Sequence, residues 1–140
     1  MTTVNSTVVV PREHEIQVRV RYQETDAQGR VHHSNYMNYF EVARVEMLRQ
    51  SGISYRELEE SGVMLVVASI KCEYIKGAVA DDLLTIKTTV MRAKGVRIHH
   101  HYEISVDGEL VAKGDTVVAA VNEDGKVVRL PKWLHLDAAT

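Results

Sequence analysis

Little in this sequence of 140 residues can cross-link it or break its regular structure: it has one cysteine, two prolines, one tryptophan and one phenylalanine. A lone Cys72 cannot close an internal disulfide, which agrees with a reducing compartment. Neither sign of charge dominates. The 17 basic and 19 acidic residues give a formal net charge of −2 and are spread along the chain, so there is no electrostatic footprint for nucleic acid or an anionic membrane surface. No apolar run approaches the length of a membrane span, and Met1 to Pro11 lack the basic region and long apolar core of a secretory signal. These absences predict a soluble, cytoplasmic protein whose partners are small molecules or other subunits. Neither a Gly-x-Ser-x-Gly elbow nor a Ser-His-Asp set is present, which leaves a serine-nucleophile route without an anchor.

What is present is a clear change of period. Ile16, Val18, Val20 and Tyr22 alternate with Glu15, Gln17, Arg19 and Arg21, as in a half-buried strand. From Tyr36 the spacing becomes helical: Tyr36, Phe40, Ala43 and Met47 form one stripe, which Met37, Tyr39 and Leu48 widen. Ser34 or Asn35 is placed to cap this helix, Arg49 lies in its last turn, and Gly52 can stop it in a left-handed conformation. A short helical piece, Tyr55 to Ser61, precedes Gly62. Strands are then expected at Val63–Tyr74, Leu83–Met91, Val96–Val106, Leu110–Val121 and Val127–Leu130, joined as consecutive hairpins, with Asp107-Gly108 and Asp124-Gly125 as turns. Residues 1–12 read as an N-terminal tail and 13–140 as a single domain, in which a twisted antiparallel sheet wraps one long helix. The runs Val63 to Val67 and Val117 to Val121 are apolar on both faces, so subunit association is expected to cover the second face.

Between the first strand and the helix lies the chemistry. Asp26, Gly29, His32 and His33 occupy the connecting loop, and a helix beginning near His33 to Tyr36 offers unpaired N–H donors and a partial positive charge. That is an environment suited to developing negative charge, as in an oxyanion site. Read alone, Asp26 followed three residues later by Gly29 is also what an ordinary surface turn uses.

The block Tyr22-x-x-Thr25-Asp26-Ala27-x-Gly29-x-Val31-x-His33-x-Asn35-Tyr36, followed by Phe40-Glu41-x-Ala43-Arg44, resembles the signature of the hotdog-fold acyl-CoA thioesterases. The resemblance is to the 4-hydroxybenzoyl-CoA thioesterase branch and its Tol-Pal-associated relatives, and covers about residues 14 to 133. It implies an α+β hotdog fold and hydrolysis of an acyl-CoA thioester to free acid and CoA. Asp26 matches the catalytic aspartate, as nucleophile or as general base on water. His33 matches the position after which a backbone N–H polarises the thioester carbonyl, and Tyr22 is a positioning hydroxyl. Where the 4-hydroxybenzoyl enzymes carry tyrosine this chain has His33. The resemblance also implies a homo-oligomer, dimer or tetramer, with active sites at subunit interfaces. No cofactor is expected, CoA being part of the substrate. The chemistry is reasonable on its own terms, because a thiolate whose conjugate acid has a pKa of about 8.5 leaves with little protonation. An enoyl-thioester hydratase or dehydratase using Asp26 with His32 or His33 is the alternative enzyme, and a non-catalytic acyl-thioester-binding module the alternative class.

Other candidates read more blandly. Arg92, Lys94 and Arg97 cluster about a turn where they could meet CoA phosphates. Glu24 reads as solvated. Glu41, a reserve catalytic carboxylate, could pair with Arg44 or Arg49 on the helix. In His99-His100-His101, strand alternation puts His100 with Ile98 and Tyr102 and sets His99 and His101 on the other face, so no metal site is expected. Cys72 reads as a core filler. Tyr55, Met64, Val66 and Val67 are candidates for the acyl end of the pocket.

Overall fold

A computed structural model describes residues 10–137. Nine of the twelve residues assigned to the tail, and 138–140, lie outside the described residues. Five strands form one antiparallel sheet: β1 (Glu13–Arg19), β2 (Met64–Tyr74), β3 (Leu83–Lys94), β4 (Arg97–Val106) and β5 (Glu109–Val121). The helices are α1 (Asn35–Gln50) and α2 (Tyr55–Glu60). The α1 helix lies in the concavity of the sheet, which is the hotdog arrangement. Among the described residues no helix is long and apolar enough to cross a membrane.

The strand order is β1-β3-β4-β5-β2, so only β3, β4 and β5 form the expected meander. The expectation that β2 and β3 make a hairpin is corrected: β2 pairs with β5, and the segment from Ile75 to Asp82 carries the chain across to the other side of the sheet. That segment is too long for a tight two-residue turn and is tied instead to the Asp26 loop, through Val31 N–H donating to the Ala78 carbonyl at 2.8 Å. A last strand at Val127–Leu130 does not form either; Val127 makes only an isolated bridge to Val121. The residues that follow it turn back so that Leu130 and Leu134 are buried beside β3 and β4.

Alternation on the inner face is strict where the sheet meets α1: Leu84, Ile86, Thr88 and Val90 on β3, and Ile98, His100, Tyr102 and Ile104 on β4, are all buried. Register shifts at Val67/Ser69 in β2 and Val90/Arg92 in β3 insert an extra residue in each strand, and such bulges bend a sheet around what it covers. The core divides along the helix. Tyr36, Tyr39, Phe40 and Ala43 pack with Val20, Leu84, Ile86 and Ile104, whereas Met47 and Leu48 pack with Ile53, Leu58, Val90, Ile98 and Val118. At mid-helix the only phenylalanine, Phe40, stacks on Tyr102 with centroids 4.3 Å apart. Beneath it sits Gly114, where a β-carbon would lie 2.5 Å from Phe40 Cζ and 2.7 Å from the Lys71 carbonyl oxygen. Glycine is required there by space.

Helix α1 ends as its residues dictate, with Gly52 at φ 96° donating to the Arg49 carbonyl at 3.0 Å. Its exposed side differs from expectation, because Met37 is largely exposed rather than part of the buried arc. The two edge strands also differ. β1 turns Glu13, Glu15, Gln17 and Arg19 to solvent, while β2 exposes Val66, Val67, Ile70 and Tyr74.

Candidate active site

The Asp26 loop is a small structure of its own. After β1 the alternation ends at Val20, which is buried, and a single 3-10 turn spans Tyr22–Glu24. This moves Tyr22 out of the strand pattern assumed for it: its side chain is 85% exposed, and it is its backbone carbonyl that is engaged, accepting from Thr25. Asp26 then closes a turn on itself. Its Oδ1 accepts from the Gln28 amide at 2.9 Å and the Arg30 amide at 3.3 Å, and its own amide donates to the Arg30 carbonyl at 2.8 Å. Gly29, at φ 80°, provides the left-handed residue that this turn needs. One carboxylate oxygen is thus held by two amides, while Oδ2 has no hydrogen-bond partner among the described residues.

Glu24 holds this loop to the helix. It was expected to be solvated, yet its side chain is 13% exposed; Oε1 accepts from the Arg21 amide at 2.8 Å and from the Tyr39 hydroxyl at 3.0 Å. Its backbone carbonyl accepts from the His32 amide at 2.9 Å and from Asn35 Nδ2 at 2.8 Å. Burial, then the carboxylate beside it, pushes the Tyr39 hydroxyl well above its usual range. Only the returning half of a capping box is present, Glu24 accepting from the Arg21 amide; Arg21 has no acceptor to offer, so the Ser/Thr-x-x-Glu signature is absent from the sequence.

Helix α1 begins without a side-chain cap. Ser34 holds the N-cap position but makes no capping bond, and Asn35 is committed to Glu24, so the capping expectation is corrected. The first amides are satisfied only by turn carbonyls: Asn35 N–H donates to His32 at 2.9 Å and Tyr36 N–H to His33 at a long 3.3 Å. Among the described residues the His33 amide donates to nothing. The His33 ring stacks on His32 at 4.2 Å and meets Tyr74 edge-on at 6.4 Å, while the Tyr74 hydroxyl donates to the His33 carbonyl at 3.1 Å. Tyr74 also packs edge-on against Tyr36 at 5.2 Å. Burial raises the Tyr36 hydroxyl above its ordinary value and lifts the Tyr74 hydroxyl to about 12, so both stay protonated donors at neutral pH.

Asp26, His33, Tyr36, Tyr74 and Gly77 line one open pocket of about 260 Å³. Gly77 is a wall because Arg30 lies across it; a β-carbon would come within 2.7 Å of Arg30 Cδ. The pocket therefore brings the carboxylate and the helix start together, and leaves out Tyr22. It also leaves out Arg92, Lys94 and Arg97. These sit on the β3–β4 turn, where Ala93 and Ile98 pack beside Met47 and Leu48 in the last turns of α1, so within one protomer they are at the end of the helix opposite to Asp26. Tyr74, Ile75 and Lys76, which complete the pocket, were not singled out from the sequence. Only the β2 crossover brings them to the loop.

The remaining candidates fall elsewhere. Glu41 is exposed and pairs with neither arginine: Arg49 takes Glu46 at 3.6 Å, and Arg44 turns inward to the Tyr102 hydroxyl at 3.1 Å. Glu41, Arg44, Tyr55, Val66 and Val67 line a second groove of about 440 Å³ between α1, α2 and β2, without Met64. His100 is buried, whereas His99 Nε2 and His101 Nδ1 meet the same Asp115 oxygen at 3.0 and 3.1 Å on the outer face. Among the described residues no cluster is arranged to hold a metal ion. Cys72 is half-buried against the core, its thiol pushed up by burial, and lines neither the Asp26 pocket nor the second groove.

A family model described as the thioesterase-like superfamily matches residues 20–136. An acyl-CoA thioesterase YbgC from Haemophilus influenzae is 36% identical over 106 residues, 75% of this chain and 78% of that protein. The crystal structure of a probable thioesterase from Bartonella henselae superposes with a TM-score of 0.82 at 33% identity, covering 85% of this chain and 99% of that one. A 4-hydroxybenzoyl-CoA thioesterase complexed with 4-hydroxybenzoyl CoA superposes with a TM-score of 0.80 over 87% of this chain and 95% of that one. At 20% identity this last likeness is one of fold.

Proposed function

The chain belongs to the thioesterase-like superfamily, and from that premise we propose that it hydrolyses acyl-CoA thioesters to free acid and CoA in the pocket between the Asp26 loop and the start of α1. The observation that carries the reading is the Asp26 carboxylate, anchored by the Gln28 and Arg30 amides through Oδ1, in one pocket with the first turn of a long helix. Oδ2 is the atom available for chemistry, either attacking the thioester carbonyl or taking a proton from the water that does.

Carbonyl polarisation falls to backbone. The His33 amide and the weakly engaged Tyr36 amide are fixed donors at the positive end of α1, and one such donor is typically worth about 3–4 kcal/mol of transition-state stabilisation. The His33 ring, exposed and stacked on His32, acts as a wall of the pocket. CoA thiolate needs little protonation to depart. Tyr22 has no place in this scheme within one protomer, and CoA phosphate contacts from Arg92, Lys94 and Arg97 would have to come from a neighbouring copy.

The protomer suits association. The free edge of β2 exposes Val66, Val67, Ile70 and Tyr74, and an unpaired apolar edge is a template for pairing. A second copy laid along it would cover both the Tyr74 side of the Asp26 pocket and the Val66–Val67 side of the second groove, so we read the working form as a homo-oligomer, a dimer or a tetramer of such pairs, in the cytoplasm.

Release of free thiol from a panel of acyl-CoAs tests the activity, with enoyl-CoA hydration assayed alongside. Turnover of several thioesters without hydration is the expected outcome, and hydration without thiol release would overturn the reading. A single turnover in ¹⁸O-water detects the nucleophilic role of Asp26: label entering its carboxylate marks an acyl anhydride that water has opened at the aspartyl carbonyl.

A further inference from the structure

Among the described residues Arg44 is the only Arg, Lys, Asp or Glu that is buried, with 6% exposure, and the thioesterase scheme above makes no use of it. Its Nη1 donates to the Tyr102 hydroxyl at 3.1 Å, and that hydroxyl shares a 2.7 Å bond with Thr116 Oγ1. These partners are neutral. None of the ion pairs among the described residues includes Arg44. A guanidinium has five N–H donors in a rigid fork and does not lose its charge, so one phenol oxygen leaves donors over, and a buried ion without a counter-charge is costly. Arg44 therefore has donors and charge that an anion can take up.

Its position says which anion. Arg44 is a shared wall of two spaces: the groove of about 440 Å³ along α1, and a narrow pocket of about 20 Å³, enough for one water, that it lines together with His100. His100 is also 6% exposed, and its Nδ1 has no hydrogen-bond partner. Apart from these two and Tyr55, the narrow pocket is apolar, with Met47, Leu65, Val90 and Ile98 among its walls. An extended group running along α1 from the Tyr36 end to Arg44 passes eight residues, about 12 Å of helix, and the arginine side chain leans back toward the N-terminus to shorten that reach. The exposed carboxylates Glu41 and Glu59 also line this groove, and they repel a negative charge that stops short of the guanidinium.

We propose that Arg44 determines specificity by receiving a carboxylate at the far end of the acyl group, so that thioesters of dicarboxylic acids are the substrate class the groove selects. The proposal rests on the thioesterase reading and adds the acyl class to it. The planar fork matches a carboxylate with two parallel hydrogen bonds. Apolar Val66, Val67 and Val118 flank the intervening methylenes.

The experiment compares acyl-CoAs of equal chain length that differ only at the far end, suberoyl-CoA against octanoyl-CoA and adipoyl-CoA against hexanoyl-CoA, on the full chain. The expected result is a preference of at least about tenfold in kcat/KM for one carboxy-terminated member, expressed mainly in KM, as when a site left with unmet polar groups rejects the analogue lacking them. In Arg44→Gln that preference falls to within about twofold, and Arg44→Lys, which keeps charge but not the fork, falls between. A merely structural arginine would lower both members of a pair equally. Equal or better turnover of the methyl-terminated member at both lengths overturns the proposal on the native enzyme alone, whether or not the variants fold. If no thioester of either kind is cleaved, the hydrolase reading fails by itself. Calorimetry with the non-hydrolysable thioether analogues then decides this one, since tighter binding of the carboxy-terminated analogue supports it and equal binding overturns it.

Discussion

The two ends of helix α1 are built on opposite plans. At its start the helix is uncapped, the flanking loop is polar, and the pocket opens to solvent between Asp26, His33 and Tyr74. Toward its end the polar groups go inside instead: Arg44 and His100 are sealed among Met47, Leu65, Val90 and Ile98. Leaving helix amides short of partners keeps them free to meet a developing oxyanion. A buried guanidinium and imidazole, by contrast, are stability set aside. In the proposed reading the first end carries the chemistry and the second the selection, and between them Phe40 packs on Gly114 and Tyr102 of the sheet.

The comparison can be broken first at its chemical end. Asp26→Asn keeps the Oδ1 acceptor for the Gln28 and Arg30 amides and removes the charge, so kcat for acyl-CoA hydrolysis should fall on the order of 10²–10⁴-fold, with the thermal midpoint little changed. A variant that folds, oligomerises and retains full turnover would remove Asp26 from the chemistry. Next comes the point that joins the ends. Gly114→Ala places a methyl 2.5 Å from Phe40 Cζ and 2.7 Å from a backbone carbonyl, and overpacking of this kind costs about 1–3 kcal/mol. Chemical denaturation should show that loss, and pairing it with Phe40→Leu should return part of it, because the clash with the ring is shared. No recovery in the double variant would place the strain in the backbone at Lys71 instead.

The first end was far easier to see in the sequence than the second. The strand-to-helix change of period, the Asp26-x-x-Gly29 turn and the stop at Gly52 are local signals, each written within a few residues, and the structure follows them. What could not be seen is whatever depends on pairing between distant segments. Tyr74 and Gly77 reach the Asp26 pocket only because β2 crosses over to pair with β5, and alternation within β2 is silent about its neighbour. Val127–Leu130 has the composition of a strand, but only the single Val121–Val127 bridge forms. Helical spacing put Arg44 beside Glu41 as a surface pair, yet the residue faces Tyr102, fifty-eight positions on. Glu24 belongs with them: Arg21-x-x-Glu24 lacks the Ser or Thr of a capping box, and the Tyr39 hydroxyl that holds the carboxylate is fifteen residues on.

The buried end also has a pH signature. Burial, chiefly, and the Arg44 charge beside it lower the pKa of His100 to about 3, so the folded protein keeps this imidazole neutral. The unfolded chain protonates it near pH 6.5. With the folded value below the unfolded one, the unfolded state binds the extra proton as pH falls, and stability is lost between about pH 6.5 and 3. By pH 5 the loss relative to pH 7.5 should be about 2 kcal/mol from this residue. Urea midpoints measured across that range should therefore decline more steeply in the native protein than in His100→Leu, and parallel declines would mean that His100 does not stay neutral when folded.

The smallest effect expected sharpens the boundary between the ends. Tyr39 lies one residue before Phe40 and is buried, but its hydroxyl points the other way, donating to Glu24 Oε1 at 3.0 Å. Tyr39→Phe removes one hydrogen bond to a charged acceptor and leaves the packing intact, so a loss of about 1–2 kcal/mol in stability is expected. Its consequence for function separates two accounts of the loop. If the Glu24 bond only holds the protein together, kcat is unchanged when stability falls. If it also sets the distance between Asp26 and the start of α1, kcat falls severalfold with KM nearly constant, because Glu24 bonds both His32 and Asn35 through its carbonyl and any drift is passed to the pocket. The second outcome is the one expected, since the helix start has no side-chain cap of its own to hold it in place.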